Sequence, residues 1–155
     1  MSSQFSDKTL IRAAVSTDLP ALMALEKHAP TAAHWPIDRY KALFHDANSN
    51  RIALVIEEEQ VQGFIVANAV GTEWEIENMV IAAPVRRCGL GARLLAELLD
   101  AARARRGELV FLEVRASNQA ARALYEKFAF VETGLRKKYY KDPEEDAVLY
   151  RLVLN

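Results

Sequence analysis

The sequence predicts an α/β domain in which helices interrupt a mixed β-sheet, and three observations carry that reading. Short stretches alternate apolar and polar side chains, the period of a strand with one buried face. Between them lie stretches with apolar residues at i, i+3, i+4 and i+7, the spacing of a helix face. One apolar run, ending Asn78-Met79-Val80-Ile81, leads through a basic, glycine-bearing turn directly into an Ala/Leu-rich helix. The 155 residues, 51% hydrophobic and 26% charged, suit one domain, 1–155, with a sizeable core.

The elements follow in order. Leu10, Ile11 and Val15 mark a strand near 8–14. Thr17 or Asp18 caps a helix with Pro20 in its first turn and Leu19, Leu22, Met23 and Leu25 on its apolar side. Trp35-Pro36 opens a second helix through Tyr40, Leu43, Phe44 and Ala47. Residues 52–57 and 61–70 form a hairpin around Glu58-Glu59-Gln60, and 74–81 form a further strand. Strict alternation in that strand puts Trp74, Ile76, Asn78 and Val80 on one face, and Glu73, Glu75, Glu77 and Met79 on the other. The helix after Gly91 buries Leu94, Leu95, Leu98 and Ala102, and Gly107 terminates it. A short strand, 109–114, precedes a helix capped by Ser117 or Asn118 and carrying Ala121, Leu124, Tyr125 and Phe128. Two strands, 132–139 and 146–154, close the chain. The order is β-α-α-β-β-β-α-β-α-β-β, seven strands and four helices.

Composition narrows the function classes. No apolar run reaches the length of a membrane span and no signal peptide is visible, so the expectation is a cytoplasmic protein with no membrane partner. The single cysteine, Cys88, excludes an internal disulfide. His28, His34 and His45 have no zinc-like spacing, so no metal is expected. A net charge of −1 argues against direct nucleic-acid binding. Residues 1–85 hold 6 Lys/Arg against 11 Asp/Glu, and residues 86–155 hold 14 against 10. A basic second half suits an anionic cofactor, and an acidic first half attracts a cationic acceptor. Oligomeric state leaves no signature in the sequence.

Three places can carry chemistry. The turn Arg86-Arg87-Cys88-Gly89-Leu90-Gly91 precedes a helix N-terminus, whose orphan N–H groups and positive dipole end hold phosphates. The plain alternative is a tight strand-to-helix turn. A dinucleotide fingerprint fails, because its third-glycine position is Leu94. Glu113 shares a strand face with Leu109 and Phe111, opposite Val110, Leu112 and Val114. A carboxylate on a buried row is costly unless paired or used, and burial tunes such a group toward general-base work. Its structural alternative is an ion pair with Arg115. Tyr125 sits on a helix's apolar stripe, as a core ring or as a proton donor to a leaving thiolate. Asn118 is a helix N-cap or a cofactor contact.

The residues resemble a family. Arg86-Arg87-Cys88-Gly89-Leu90-Gly91 is similar to the acetyl-CoA motif of the GNAT N-acetyltransferases. Leu112-Glu113-Val114-Arg115-Ala116-Ser117-Asn118, then Ala123-Leu124-Tyr125-Glu126, Arg136-Lys137-Lys138-Tyr139-Tyr140 and Glu145-Asp146-Ala147, resemble its RimI type, the ribosomal-protein alanine N-acetyltransferases. The resemblance spans nearly the whole chain. It implies a GNAT fold, with a mostly antiparallel mixed sheet and helices on both faces. It implies direct, sequential acetyl transfer from acetyl-CoA to an amine, most simply the α-amine of a protein N-terminus such as a small-subunit ribosomal protein. By the same resemblance Glu113 is the base and Tyr125 the acid. Met79, Val80 and Ile81 hold the acetyl and pantetheine parts. Arg86, Arg87, Cys88, Gly89, Leu90, Gly91 and Ala92 hold the pyrophosphate. Asn118 touches the pantetheine arm, and Trp35, Tyr139 and Tyr140 shape the acceptor groove.

There are departures. Pro84 stands one place late, Ala82 replaces an acidic residue, and Ala129 replaces a glycine. The segment 29–36, on the acceptor side, matches least. The rival readings are a GNAT enzyme acting on a small amine and a non-catalytic acyl-CoA-binding module; retention of both Glu113 and Tyr125 speaks against the second.

Overall fold

The computed structural model describes residues 9–30, 32–45, 49–82 and 89–155. Strand β1 (Leu10–Ala13) and a 3-10 turn (Ser16–Asp18) lead into helices α1 (Leu19–Lys27) and α2 (Ile37–His45). Strands β2 (Arg51–Glu58), β3 (Gln60–Val70) and β4 (Glu73–Ile81) follow. Helix α3 (Leu90–Ala104), β5 (Leu109–Arg115), α4 (Gln119–Lys127), β6 (Val131–Tyr140) and β7 (Glu145–Val153) complete the chain. The expected order of elements is the observed one; Ala47, placed on the second helix, lies outside the described residues.

The seven strands form one sheet in the order β1-β2-β3-β4-β5-β7-β6. Only β4 and β5 run parallel. Helices cover both faces. Leu94, Leu95 and Leu98 of α3 and Tyr125 of α4 are buried with Trp74, Ile76 and Val110. On the other face Leu22 of α1 and Tyr40 of α2 are buried with Val55, Phe64 and Val66.

The parallel pair β4–β5 is short. It runs from Glu73 opposite Leu109 to Ile76 opposite Leu112 and stops. Beyond that point β4 stays with β3 as far as Ile81, and β5 stays with β7 as far as Arg115. The sheet therefore splits down its middle. A bulge marks the split: β3 residues Val66 and Ala67 face Asn78 and Ile76, which leaves Glu77 as the extra residue in β4.

This bulge overturns the strict alternation expected for β4. Trp74 and Ile76 face α3 and α4, but Val80 lies in the core under α1 and α2, and Asn78 bonds to Tyr40 there. Met79 and Ile81 turn toward the α3–α4 core instead. One extra residue inverts the faces after it, because the side-chain period is two.

One turn position also differs from expectation. Helix α3 ends with Arg106, not Gly107, in the left-handed region, at φ 62°. Gly107 is needed for closeness instead: a Cβ there would sit 3.0 Å from both Ala102 O and Trp74 Nε1. Ala129 adopts φ 71°, so the alanine in place of glycine costs about 1 kcal/mol.

Candidate active site

A cleft of about 860 Å³ opens where β4 and β5 part. Met79, Val80, Ile81, Gly89, Gly91, Ala92 and Asn118 line it on one side, and Glu113, Tyr125, Trp35, Tyr139 and Tyr140 elsewhere. The structure thus brings together most residues singled out from the sequence. Arg86, Arg87, Cys88 and Pro84 lie outside the described residues.

The α3 side is built from backbone. Gly89 holds φ 82° and ψ 5° at the N-cap, and among the described residues no side chain caps the helix there. The first helical bond runs from Arg93 N–H to Gly89 C=O at 3.1 Å, so the amides of Leu90, Gly91 and Ala92 precede it. They form the positive end of a 15-residue helix. Leu90 offers only backbone, since its side chain is buried in the core. Gly91 serves packing: a Cβ would lie 3.3 Å from Met79 Cε and 3.4 Å from Leu124 Cδ2, so its absence lets α3 close on β4 and α4. Asn118 is the α4 N-cap, accepting from Ala121 N–H at 3.2 Å while also lining the cleft. A glycine-capped helix N-terminus beside a strand that has lost its neighbour fits a pyrophosphate joined to an amide-bearing arm.

The opposite side is built from side chains of distant elements. The Arg39 guanidinium lies 4.0 Å over the Trp35 ring and 3.4 Å from Glu77. Arg51 also pairs with Glu77, at 2.8 Å. Tyr139 and Tyr140 meet edge to face at 5.1 Å. Arg115, 6% exposed, fixes the β6–β7 turn by donating to Pro143 O at 3.1 Å, Glu145 at 3.3 Å and Lys141 O at 3.3 Å. It also lies 4.5 Å over the Tyr140 ring.

Glu113 faces the cleft with its side chain 20% exposed and Arg136 Nε at 3.2 Å. This carboxylate, ahead of burial, raises the pKa of the neighbouring Tyr139. The Arg115 pairing is overturned: Arg115 turns into the β6–β7 turn and Glu145, and Arg136 reaches across β7 in its place.

Glu75 is a residue that sequence reasoning passed over. It is half-buried in the cleft wall, and no described residue gives it a hydrogen bond or ion pair. Burial, then the negative charges of Glu77 and Glu113, raise its pKa. The only local signal was three glutamates at alternate positions. What singles Glu75 out is that Glu73 is exposed to solvent and arginines from elsewhere neutralise Glu77.

Tyr125 is a core ring that also lines the cleft. Its ring packs 5.5 Å from Phe130 and 6.2 Å from Tyr150, yet its hydroxyl reaches the cleft and meets Met79 Sδ at 3.9 Å. Burial, reinforced by Tyr140, raises its pKa, so the hydroxyl stays neutral and available as a donor.

The model of the Acetyltransferase (GNAT) family matches residues 19–130. The chain belongs to the GNAT acetyltransferase family. It is 33% identical over 143 residues to the [ribosomal protein bS18]-alanine N-acetyltransferase of Salmonella typhimurium, covering 90% of this chain and 94% of that one. The crystal structure of the ribosomal-protein-S18-alanine N-acetyltransferase from Escherichia coli superposes with a TM-score of 0.83 at 30% identity, covering 95% and 94% of the two chains. Ard1 from Thermoplasma volcanium gives 0.85 at 25% identity, over 95% and 98%. This GNAT chain is thus an acetyl-CoA-dependent N-acetyltransferase of RimI-like type. Among the described residues, none of its helices is long and apolar enough to cross a membrane.

Proposed function

We propose that this enzyme acetylates the α-amine of a protein N-terminus, of the ribosomal-protein alanine type, with Glu113 as base and Tyr125 as acid. The observation that carries the mechanism is that Glu113 and Tyr125 line one cleft, beside the glycine-capped N-terminus of α3. The similarity to bS18-alanine N-acetyltransferases supports the acceptor class.

Acetyl-CoA, as co-substrate, supplies an activated thioester. The first-turn amides of α3, with Arg86 and Arg87, hold its pyrophosphate, and Met79, Val80, Ile81 and Asn118 hold the arm. Glu113 takes the proton that the acceptor amine sheds as its nitrogen bonds to the acetyl carbon. The carbon–sulfur bond breaks, and Tyr125 donates to the departing sulfur. A peptide α-amine has a pKa near 8, so a modest base suffices. No protein nucleophile is required, because the reacting groups are held together in one cleft. Half-buried Glu75 and Glu113 attract the acceptor's positive charge, while Trp35, Tyr139 and Tyr140 form the groove for the residues that follow. The whole chain, 1–155, acts as one domain on a cytoplasmic protein.

Incubation with acetyl-CoA and a panel of N-terminal peptides, small-subunit ribosomal proteins included, tests this by mass spectrometry. The expected product is a peptide acetylated on its α-amine. A higher kcat/KM for free alanine or a polyamine than for any peptide overturns the acceptor assignment, and no transfer to any amine overturns catalysis.

A further inference from the structure

Among its described residues, the cleft wall between α1 and α2 has no helix or strand to hold it. Ala29, Ala32 and Trp35 in this stretch are nonetheless buried, at 4%, 9% and 8% exposure, and all three line the cleft. Two backbone bonds fix its near end, Ala29 N–H to Glu26 O and Ala32 N–H to Ala29 O, both 3.0 Å. At its far end His34 takes φ 55°, a conformation that a residue with a Cβ disfavours. The very next N–H, that of Trp35, donates to the Glu26 carboxylate at 2.8 Å.

Glu26 is an unusual anchor. It ends the buried face of α1 at 7% exposure, and no described Lys or Arg pairs with it. A buried carboxylate without a cation is costly, and neither the helix nor the sheet requires one there. From the wall the contacts continue inward. The Trp35 ring lies 5.2 Å from that of Tyr40, which is fully buried. The Tyr40 hydroxyl accepts from Asn78 Nδ2 at 3.0 Å. It also lies against Glu26, and burial followed by hydrogen bonding to that carboxylate makes the tyrosine hold its proton more firmly. Asn78 is the first residue after the bulge, next to Met79 and Val80 in the opposite wall.

We infer that Glu26 is a positioning residue for the acceptor. By holding Trp35, and through Tyr40 and Asn78, it locks the α1–α2 wall to the strand at the acetyl end of the cleft. The spacing of acceptor and acetyl groups then depends on a carboxylate that touches neither. This rests on the reading of the cleft as the transfer site. It goes beyond that reading by assigning control of acceptor affinity to the buried chain.

The test compares Glu26→Leu, Glu26→Gln and Tyr40→Phe with wild type, using acetyl-CoA and an N-terminal alanine peptide. Glu26→Leu strands the buried Trp35 N–H, and the acceptor KM should rise about tenfold while the acetyl-CoA KM stays within about twofold. Glu26→Gln, whose amide oxygen still accepts from Trp35 N–H, should keep the acceptor KM within about threefold of wild type. Tyr40→Phe should fall between the two. A second readout needs no acceptor. In a Trp74→Phe background Trp35 is the sole tryptophan, since the chain has 2, and its quenching by acrylamide should increase with Glu26→Leu but not with Glu26→Gln. Unchanged quenching in folded Glu26→Leu, or equal rises in both KM values, overturns the inference. If Glu26→Leu does not fold, Tyr40→Phe decides, and a wild-type acceptor KM there overturns it. Failure of wild-type enzyme to acetylate any peptide would sink the functional reading instead, and the quenching arm would still judge Glu26.

Discussion

On the α3 side of the cleft the lining comes mostly from two short pieces of chain, 79–81 and 89–92, joined by Asn118, and it offers mainly backbone. On the acceptor side Trp35, Glu75, Glu113 and Tyr139 come from four separate parts of the fold. Their surroundings come from still others: Arg39 over Trp35, Arg136 beside Glu113, and Arg115 beneath Tyr140. The first side needs a helix to start in the right place. The second needs several long side chains to meet. A backbone-built surface should therefore respond to changes in chain conformation and ignore most side chains, and a side-chain-built one should do the reverse.

The largest expected effect lies on the acceptor side. Glu113→Gln should lower kcat/KM by about 10²–10³ near pH 7, with the loss shrinking above about pH 9 as the α-amine deprotonates unaided. Wild-type-like kcat/KM at neutral pH would break the assignment and leave Glu113 as a partner for Arg136. Next comes Tyr125→Phe, with a fall in kcat of about 10² that persists at high pH, because the sulfur still needs a donor. Full pH–rate profiles of both variants separate the two roles.

Gly89→Val challenges the backbone-built side. A β-branched residue at φ 82° is strained, so the first turn of α3 should shift and the acetyl-CoA KM rise about tenfold, with the peptide KM unchanged. An unchanged coenzyme A affinity by calorimetry would move the cofactor away from this turn. Arg115→Met is the converse. It removes the cation that fixes the β6–β7 turn and should cost about 3 kcal/mol of stability. It should raise the peptide KM about threefold, the shift expected when roughly half of one ~1.4 kcal/mol step is lost, while the acetyl-CoA KM holds. Equal changes in both would mean that the two sides are not independent.

The smallest effect concerns Glu75. Its folded pKa is raised, so the folded state binds this proton more tightly than the unfolded state does. Folding therefore loses stability as pH climbs from the ordinary glutamate value through the raised one. Glu75→Gln should melt slightly higher than wild type at pH 7 and no differently at pH 4. A lower melting temperature at pH 7 would show that Glu75 has a stabilising partner in solution.

How much of this was legible in the sequence follows the same division. The Leu94-Leu95-Leu98 stripe and the Asn118 cap depend on neighbours in the chain, and each stands where periodicity and capping placed it. The partner of Glu113 did not. Arg115 is two residues away in sequence, but Arg136, two strands away in the sheet, occupies the position. Arg106, not Gly107, takes the left-handed step because Gly107 is already committed to close approach on Trp74. Nothing in the local pattern could report the buried chain from Glu26 to Asn78, which joins residues far apart in sequence.

The unpaired residue at Glu77 acts as a change of step within a strand. Before it, every second side chain serves one layer of helices; after it, every second side chain serves the other. A strand that paired this residue in ordinary register, with no bulge, would keep the same helices and the same composition. From Asn78 to Ile81, however, each side chain would trade places with its neighbour, presenting an amide to leucines and a thioether to Tyr40. Which layer of helices each of these four side chains meets is set by that one unpaired position, and ordinary pairing there would exchange them.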